Sequence, residues 1–201
     1  GNAIDPVALA ETYGLDQTRY FLMREVPFGK DGDFSVQAMI QRMNSDLAND
    51  LGNLSQRVIS MIFKNCECVM PALPASPSSE DTAILDACDA LLDQVRIHID
   101  QQSFHEALRC IWDVIADANR YVDSQAPWGL KKTDPDRMKE VLAVLAEIIR
   151  QVAILAQPFM PQSTAKILGQ LGVSVDARGF ETVAGQTRLN SGHKIDKPEP
   201  V

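Results

Sequence analysis

The sequence predicts a mainly α-helical protein: a helical bundle with a small α/β appendage at its N terminus. Long segments repeat apolar residues at three- and four-residue spacing, which is typical of helices with one buried face. Capping residues precede these segments, and proline-rich or glycine-rich stretches separate them. Since 45% of the 201 residues are apolar and 23% are charged, the chain can also bury a sizeable core.

Residues 1–34 make up the predicted appendage. Asp5 followed by Pro6 is a typical helix start, and Gly14 is expected to end this first helix. Asp16 is expected to cap a second helix that breaks at the next proline. The stretch that follows, PFGKDGDF, is rich in turn-forming residues and is expected to contain a short extended piece.

Residues 35–172 make up the predicted bundle. They contain four long amphipathic segments, whose apolar faces can be buried only against one another. The first segment is expected to form one continuous helix of roughly 30 residues, about 45 Å long. The first segment begins at Ser35, and the other three open with a capping signal, at Ser78 with Asp81, at Ser103 with Glu106, and at Asp134 before Pro135.

Three stretches depart from the helical pattern. The connector QAPWGLKKT, residues 125–133, separates the third and fourth helices and is expected to be a loop. Pro158 and Pro161 are expected to end the fourth helix before a last short one. Residues 173–201 lose the periodicity and are predicted to form a C-terminal extension, either lying on the surface or partly loose.

Composition and charge argue against several classes of protein. No apolar run approaches the roughly 18 residues of a membrane-spanning helix, and the opening residues lack a secretory signal, so a cytoplasmic protein without a membrane partner is expected. A net charge of −8 argues against a protein that coats nucleic acid non-specifically. The acidic residues between Glu80 and Asp100 are expected to form a solvated face.

The sequence shows no self-sufficient active site or metal site. It lacks the phosphate-binding and dinucleotide-binding loops and the G-x-S-x-G nucleophile turn. Its three histidines lie far apart, and its four cysteines lack the paired spacing of a zinc site. We therefore expect no catalytic residue, metal ligand or cofactor within this chain.

Three polar residues on the first long helix suit the reading of a nucleic-acid base. Asn49, Asn53 and Arg57 follow one another at four-residue intervals, so in a regular α-helix they share a face. Asn offers a donor and an acceptor, and Arg offers a planar set of donors; both match the edge of an unpaired base. The alternative is that these are ordinary exposed side chains or hydrogen-bonding residues between helices.

Trp128 is the second candidate. It lies outside the apolar period, after Pro127, and Lys131 and Lys132 follow it. A rigidly held tryptophan beside two cations can stack on a base whose phosphates lie close by. The alternative is a loop tryptophan that plugs the end of the bundle.

These residues carry a resemblance to a known family. The run NRYVDSQAPWGLKK, residues 119–132, and the run GNLSQR, residues 52–57, closely resemble the anticodon-binding bundle of the methionyl-tRNA synthetase family. The opening GNAIDP and the segment YGLDQTRYFLMREVPFGKDGDFS resemble the part of that family just after its KMSKS loop. The resemblance extends in family order over essentially the whole chain.

The resemblance implies a fold and a binding site. The fold would be the anticodon-binding helical bundle of class I aminoacyl-tRNA synthetases, with residues 1–34 as the stem-contact segment. Asn53 and Arg57 would contact the anticodon CAU, and Trp128 would stack on its first base. Four further residues would support this site or contact the tRNA backbone: Asn49, Pro127, Lys131 and Lys132.

The resemblance also implies an activity for the complete protein. A methionine–tRNA ligase joins methionine to its tRNA with ATP and magnesium. The partners would be the methionine and initiator tRNAs and a catalytic domain upstream of Gly1 in the same polypeptide. The nucleotide-binding motifs and the zinc knuckle of the family would lie in that upstream part.

Two other interpretations stay open from the sequence. The chain could be the corresponding part of another class I synthetase, such as those for valine, isoleucine, leucine or cysteine, which share the bundle. These are not expected to combine Asn53, Arg57 and an Ala-Pro-Trp run like that at 126–128. The chain could instead be a helical protein-interaction module without an RNA role, which its acidic charge would suit.

Overall fold

A computed structural model describes residues 5–27, 29–30, 34–183 and 187–201. Within these ranges it is a helical bundle, as predicted, and it contains no strand, whereas an α/β appendage was expected at the N terminus. A π-helical segment, Met43–Gly52, joins α3 to α4, and two 3₁₀ turns follow the last helix. The α-helices are α1 (Pro6–Tyr13), α2 (Leu15–Glu25), α3 (Val36–Arg42), α4 (Asn53–Asn65), α5 (Ser79–Asp89), α6 (Leu91–Asp100), α7 (Phe104–Gln125), α8 (Pro127–Thr133), α9 (Pro135–Ala156) and α10 (Pro161–Gln170).

Helix α9 lies at the centre of the bundle. Residues 141–156 are all buried, because α4, α5, α7, α8 and α10 pack around this helix. Burial extends to its polar residues, which bind one another: Glu147 accepts hydrogen bonds from Arg150 at 2.7 Å and from Gln151 at 2.8 Å. The fourth segment is therefore enclosed on all sides, whereas its sequence predicted one apolar face.

The predicted N-terminal appendage contains two helices in its described part, α1 and α2. Gly14, with φ of +98°, ends α1 as predicted. The prediction that Asp16 caps α2 is wrong, because α2 already begins at Leu15. Asp16 is instead buried, and its carboxylate accepts a 2.5 Å hydrogen bond from the backbone N–H of Ser163 in the first turn of α10. It thus ties the appendage to the bundle.

The extended piece expected in residues 27–34 falls largely on residues outside the described ranges, namely Phe28 and 31–33. Residues 1–4, which carry the opening of the family resemblance, also lie outside them. The described residues of the first 34 contain no strand, and their regular secondary structure is the two helices α1 and α2.

The first long helix is continuous but not uniformly α-helical. It starts at Ser35 as predicted, and the structure shows that Ser35 caps it, since its hydroxyl accepts a hydrogen bond from the N–H of Ala38 at 3.3 Å. Residues 43–52 form the π-helical segment instead of α-helix. A Cβ atom on Gly52 would lie 2.9 Å from the Leu47 carbonyl oxygen, so glycine permits the close approach in this wider turn.

Two of the three remaining capping predictions are confirmed. Ser78 and Asp81 form the reciprocal capping box at the start of α5, and Asp134 caps α9. The box predicted at Ser103 is wrong, because Glu106 binds Arg109 at 2.6 Å instead. The second long segment is also divided at Ala90 into α5 and α6.

Residues 173–183 and 187–201 lie against the bundle. Arg188 forms an ion pair with Asp89 at 2.7 Å, and the N–H of Leu189 donates to the buried carboxylate of Glu147 at 2.8 Å. Further along, the N–H of Ile195 donates to the carbonyl of Cys68 at 2.8 Å. The pairing of Asp89 corrects the prediction that the acids from 80 to 100 are merely solvated.

Across the described ranges of the chain, no helix has both the length and the apolar character needed to cross a bilayer.

Candidate nucleic-acid interface

Trp128 lies at the corner between α7 and α8. Helix α7 ends at Gln125, Ala126 adopts the left-handed conformation with φ of 43°, and Pro127 opens α8. The predicted loop is therefore wrong: Trp128 lies in the first turn of a short helix. The left-handed conformation costs about 1–2 kcal/mol for a residue with a Cβ, so contacts around the corner must compensate for it.

Trp128 is half exposed, with 50% of the residue's surface accessible. The core at this end of the bundle is covered by the neighbours of Trp128 instead, since Pro127 is buried and Leu130 packs against the core. The interpretation of Trp128 as a packing residue is thus not favoured by its position. A flat aromatic face at the surface is the geometry that base stacking requires.

Arg57 lies beside this ring. Its guanidinium carbon is 5.4 Å from the ring centroid, within the range of a cation–π contact. Arg57 also forms a 3.0 Å ion pair with Asp123 in the last turns of α7. Exposed pairs of this kind contribute about 1 kcal/mol or less, so the main effect of Asp123 is to hold the guanidinium near the ring.

The structure agrees with the predicted positions of some of the other candidate residues and not with others. Asn53 is exposed at the start of α4, one helical turn before Arg57. Asn49 lies in the π-helical segment, so its predicted sharing of a regular α-helical face with Asn53 does not hold. Among the described residues, the exposed side chains of Asn49, Lys131 and Lys132 take part in no recorded hydrogen bond or ion pair.

A buried polar network lies beneath the α7–α8 corner. Asp81 is fully buried, and both of its carboxylate oxygens accept 2.7 Å hydrogen bonds from Arg137 in the first turn of α9. Tyr121 of α7 donates to the same carboxylate at 2.5 Å. Arg137 also donates to the side-chain oxygen of Gln125 at 2.8 Å. The network therefore joins the starts of α5 and α9 to the end of α7.

The charges in this network are stabilised by their partners. The hydrogen bonds from Arg137 hold the pKa of Asp81 well below its usual range, and those with Asp81 raise the pKa of Arg137. Burial, followed by the bond to Asp81, raises the pKa of Tyr121. At neutral pH the network is thus a carboxylate, a guanidinium and a neutral phenol. Asp81 is a second correction to the predicted solvated acidic face.

Sequence reasoning missed Asp123 and the network around Asp81. The capping box revealed Asp81 as a helix cap, but its partners Tyr121 and Arg137 lie 40 and 56 positions away. Asp123 lies 66 positions from Arg57, so no local spacing indicates that pair. Among the described residues, no cluster of His, Cys, Asp or Glu is arranged to hold a metal ion.

Two family models match the chain. One, described as the anticodon binding domain of methionyl tRNA ligase, matches residues 71–201. The other, described as class I tRNA synthetases (M), matches residues 1–59. The first match alone covers about two thirds of the chain.

Curated relatives resemble the whole chain. It is 54% identical over 201 residues to the methionine–tRNA ligase of Brucella suis biovar 1 and 45% identical over 205 residues to that of Mycobacterium leprae. All of the chain is covered in both comparisons, but only 39% and 38% of the respective relatives. The chain thus spans about two fifths of the length of the relatives it matches.

Solved structures agree with the fold. The apo form of Mycobacterium tuberculosis methionyl-tRNA synthetase matches with a TM-score of 0.96 at 45% identity, covering all of this chain and 41% of that one. The same enzyme bound by methionyl-adenylate matches with a TM-score of 0.95 at 46% identity, covering 40% of that chain. With the match to the anticodon-domain model, these similarities show that the chain belongs to the methionyl-tRNA ligase family.

Proposed function

We propose that the surface formed by Asn53, Arg57 and Trp128 binds the anticodon loop of a tRNA with the anticodon CAU. The observation that carries this proposal is the pairing of a half-exposed tryptophan ring with a guanidinium from another helix. Stacking and hydrogen bonding to base edges are the two modes by which proteins recognise unpaired bases. Both kinds of group lie together here.

Each residue would have its own role. Trp128 would stack on the first anticodon base, and Asn53 and Arg57 would bond to base edges. Lys131 and Lys132, exposed at the end of α8, would contact phosphates, with Asn49 and buried Pro127 in support. Because the chain carries a net charge of −8, affinity would depend on these local contacts more than on its overall charge.

The complete protein would be a cytoplasmic methionine–tRNA ligase. In this proposal an upstream domain of the same polypeptide activates methionine with ATP and magnesium and transfers it to methionine and initiator tRNAs. Residues 1–34 would be the stem-contact segment, 35–172 the anticodon-binding bundle and 173–201 a C-terminal extension. Similarity to ligases over the whole chain supports this assignment.

The test is a binding measurement with the 201-residue chain. Fluorescence anisotropy would compare a labelled anticodon stem-loop carrying CAU with the same stem-loop carrying the permuted anticodon UAC. We expect the CAU loop to bind at least about tenfold more tightly, since one good base contact contributes about 1–3 kcal/mol of discrimination. Equal affinities would contradict anticodon recognition, and binding of neither RNA would favour a protein-interaction module.

A further inference from the structure

We propose that Gln125 is a positioning residue. By binding the buried Asp81–Arg137 pair, it holds the end of α7 in place and thereby fixes the position of the Trp128 ring. The inference rests on the proposed function of the Trp128 surface and extends it to a side chain that does not itself contact RNA. It concerns how the ring is held, not which bases it reads.

The link is continuous from the core to the corner. Arg137 donates two 2.7 Å hydrogen bonds to the fully buried Asp81 carboxylate. This pairing fixes the plane of the Arg137 guanidinium. The same guanidinium donates a 2.8 Å hydrogen bond to the side-chain oxygen of Gln125. Gln125 is thereby tied to a group that is itself immobilised by α5 and α9.

Gln125 occupies the position where this constraint matters. It is the last residue of α7, and the left-handed Ala126 and then Pro127 and Trp128 follow it. Asp123, which holds Arg57, lies two residues before it on the same helix. Fraying of the last turn of α7 would therefore move both the ring and the cation beside it.

The chemistry of the amide suits this place. A carboxylate at position 125 would also accept a hydrogen bond from Arg137, but it would add a negative charge near the proposed RNA surface. The glutamine oxygen provides the acceptor without that charge. Gln125 can thus anchor the corner without repelling phosphates.

The first test follows the environment of the ring in the absence of RNA. The chain is labelled with 5-fluorotryptophan, which gives one fluorine NMR signal each for Trp112 and Trp128, assigned with Trp128→Phe. In Gln125→Ala we expect the Trp128 signal to shift or broaden while that of the buried Trp112 stays in place. Gln125→Glu restores an acceptor for Arg137 and should return the signal towards that of the wild type.

The matched control is Gln157→Ala. Gln157 is also a half-buried glutamine, whose amide donates to the carbonyls of Ile154 and Arg178. It follows the far end of α9, roughly 30 Å along the helix from Arg137. The two variants should lose similar amounts of thermal stability, but the control should leave the Trp128 signal unchanged.

The second test measures binding. Gln125→Ala should bind the CAU stem-loop about 3- to 10-fold more weakly than the wild type, and Gln157→Ala should bind it as tightly as the wild type. The proposal is overturned if the Trp128 signal does not move in Gln125→Ala, or if Gln125→Glu fails to restore it. It is also overturned if the wild type prefers the CAU stem-loop but Gln125→Ala binds that stem-loop with unchanged affinity. If the wild type shows no preference for CAU, the proposed function fails instead, and the fluorine signals alone decide whether Gln125 positions the ring.

Discussion

The guanidinium carbon of Arg57 lies 5.4 Å from the centre of the Trp128 ring, although the two residues are 71 positions apart in the chain. The contact joins α4 to the first turn of α8, and Asp123 of α7 forms an ion pair with the same guanidinium at 3.0 Å. Three helices thus contribute to one small surface. Its parts can be separated by substitution, because each makes a different kind of contact.

Removing Arg57 should reduce recognition more than stability. Arg57→Ala is expected to cost about 1–3 kcal/mol of binding to the CAU stem-loop and little with the permuted loop, since a base contact carries sequence information. Asn53→Ala should act in the same direction. The loss of the exposed Asp123 pair should change the free energy of unfolding by less than about 1 kcal/mol. Anisotropy titrations and urea unfolding measure the two effects.

Lys132→Ala is the control for this prediction. A phosphate contact would be lost equally with both loops, and the salt dependence of binding would become shallower. If Arg57→Ala also reduced the binding of both stem-loops equally, the role of Arg57 would be to contact phosphates or to support the bundle.

Truncating Trp128 should reduce binding strongly and stability weakly. The residue is 50% exposed, so Trp128→Ala leaves no closed cavity. A stacked base contributes about 1–3 kcal/mol, or roughly 5- to 150-fold in affinity, and Trp128→Phe should retain part of it. Binding titrations beside chemical unfolding of each variant provide the measurement.

Trp112→Ala provides the contrast for Trp128. Trp112 is buried, and its indole N–H donates to the carbonyl of Asp46 at 3.1 Å. Its truncation should cost about 3–5 kcal/mol of stability. If Trp128→Ala behaved in the same way while CAU binding by the folded fraction stayed normal, Trp128 would be a packing residue.

The contribution of the Asp81–Arg137 pair to the free energy of unfolding should decrease as the pH falls. The pKa of Asp81 is lowered in the folded state from its ordinary value of 3.8, so its contribution is complete above that value and is lost as the pH falls towards the lowered pKa. Asp81→Asn should therefore cost about 3–5 kcal/mol from neutral pH down to about pH 5, and less below about pH 4. Urea unfolding at a series of pH values measures this difference. A cost that grew with acidity would have the wrong sign for this ion pair.

Arg188 should contribute to stability through two carboxylates. It pairs with Asp89 at 2.7 Å and approaches the fully buried Glu147 at 3.4 Å. Arg188→Met is expected to cost about 1–3 kcal/mol and to make residues 187–201 more sensitive to limited proteolysis. Arg120→Met, which removes an exposed pair with Asp117, should cost less than about 0.5 kcal/mol and serves as the control. Similar proteolysis of the two variants would show that Arg188 does not hold this segment.

Local signals in the sequence predicted the helices and several of their ends. The caps at Ser35, Ser78 and Asp134 and the stop at Gly14 each depend on residues within one turn of the chain. The capping box at Ser103 was predicted by the same rule and is wrong, because Arg109 competes for the carboxylate that the box requires.

The features that sequence reasoning missed depend on distant contacts. A π-helical turn at 43–52 and the full enclosure of α9 arise from packing, which apolar spacing alone does not reveal. Trp128 was correctly predicted to lie outside the core stripe, but Pro127 starts a helix there and not a loop. Apart from Ser78 in the capping box, the partners of Arg57 and Asp81 described above lie 40 to 71 positions away, beyond any local pattern.

The pairing of residues 192–195 with the segment 68–70 has a consequence for the order in which the chain is completed. Ile195 and Cys68 are 127 positions apart, so on a ribosome that adds about 5–20 residues per second the earlier segment waits roughly 6 to 25 s for its partner. Arg188 follows Glu147 by 41 positions, so at the same rate the Glu147 carboxylate lacks the donors that Arg188 and Leu189 supply for roughly 2 to 8 s. A nascent chain that stops before these residues therefore has Glu147 in an ion pair with Arg150 alone, with two of its hydrogen-bond donors missing and Asp89 without its ion pair, so its central helix is less stabilised than in the finished chain.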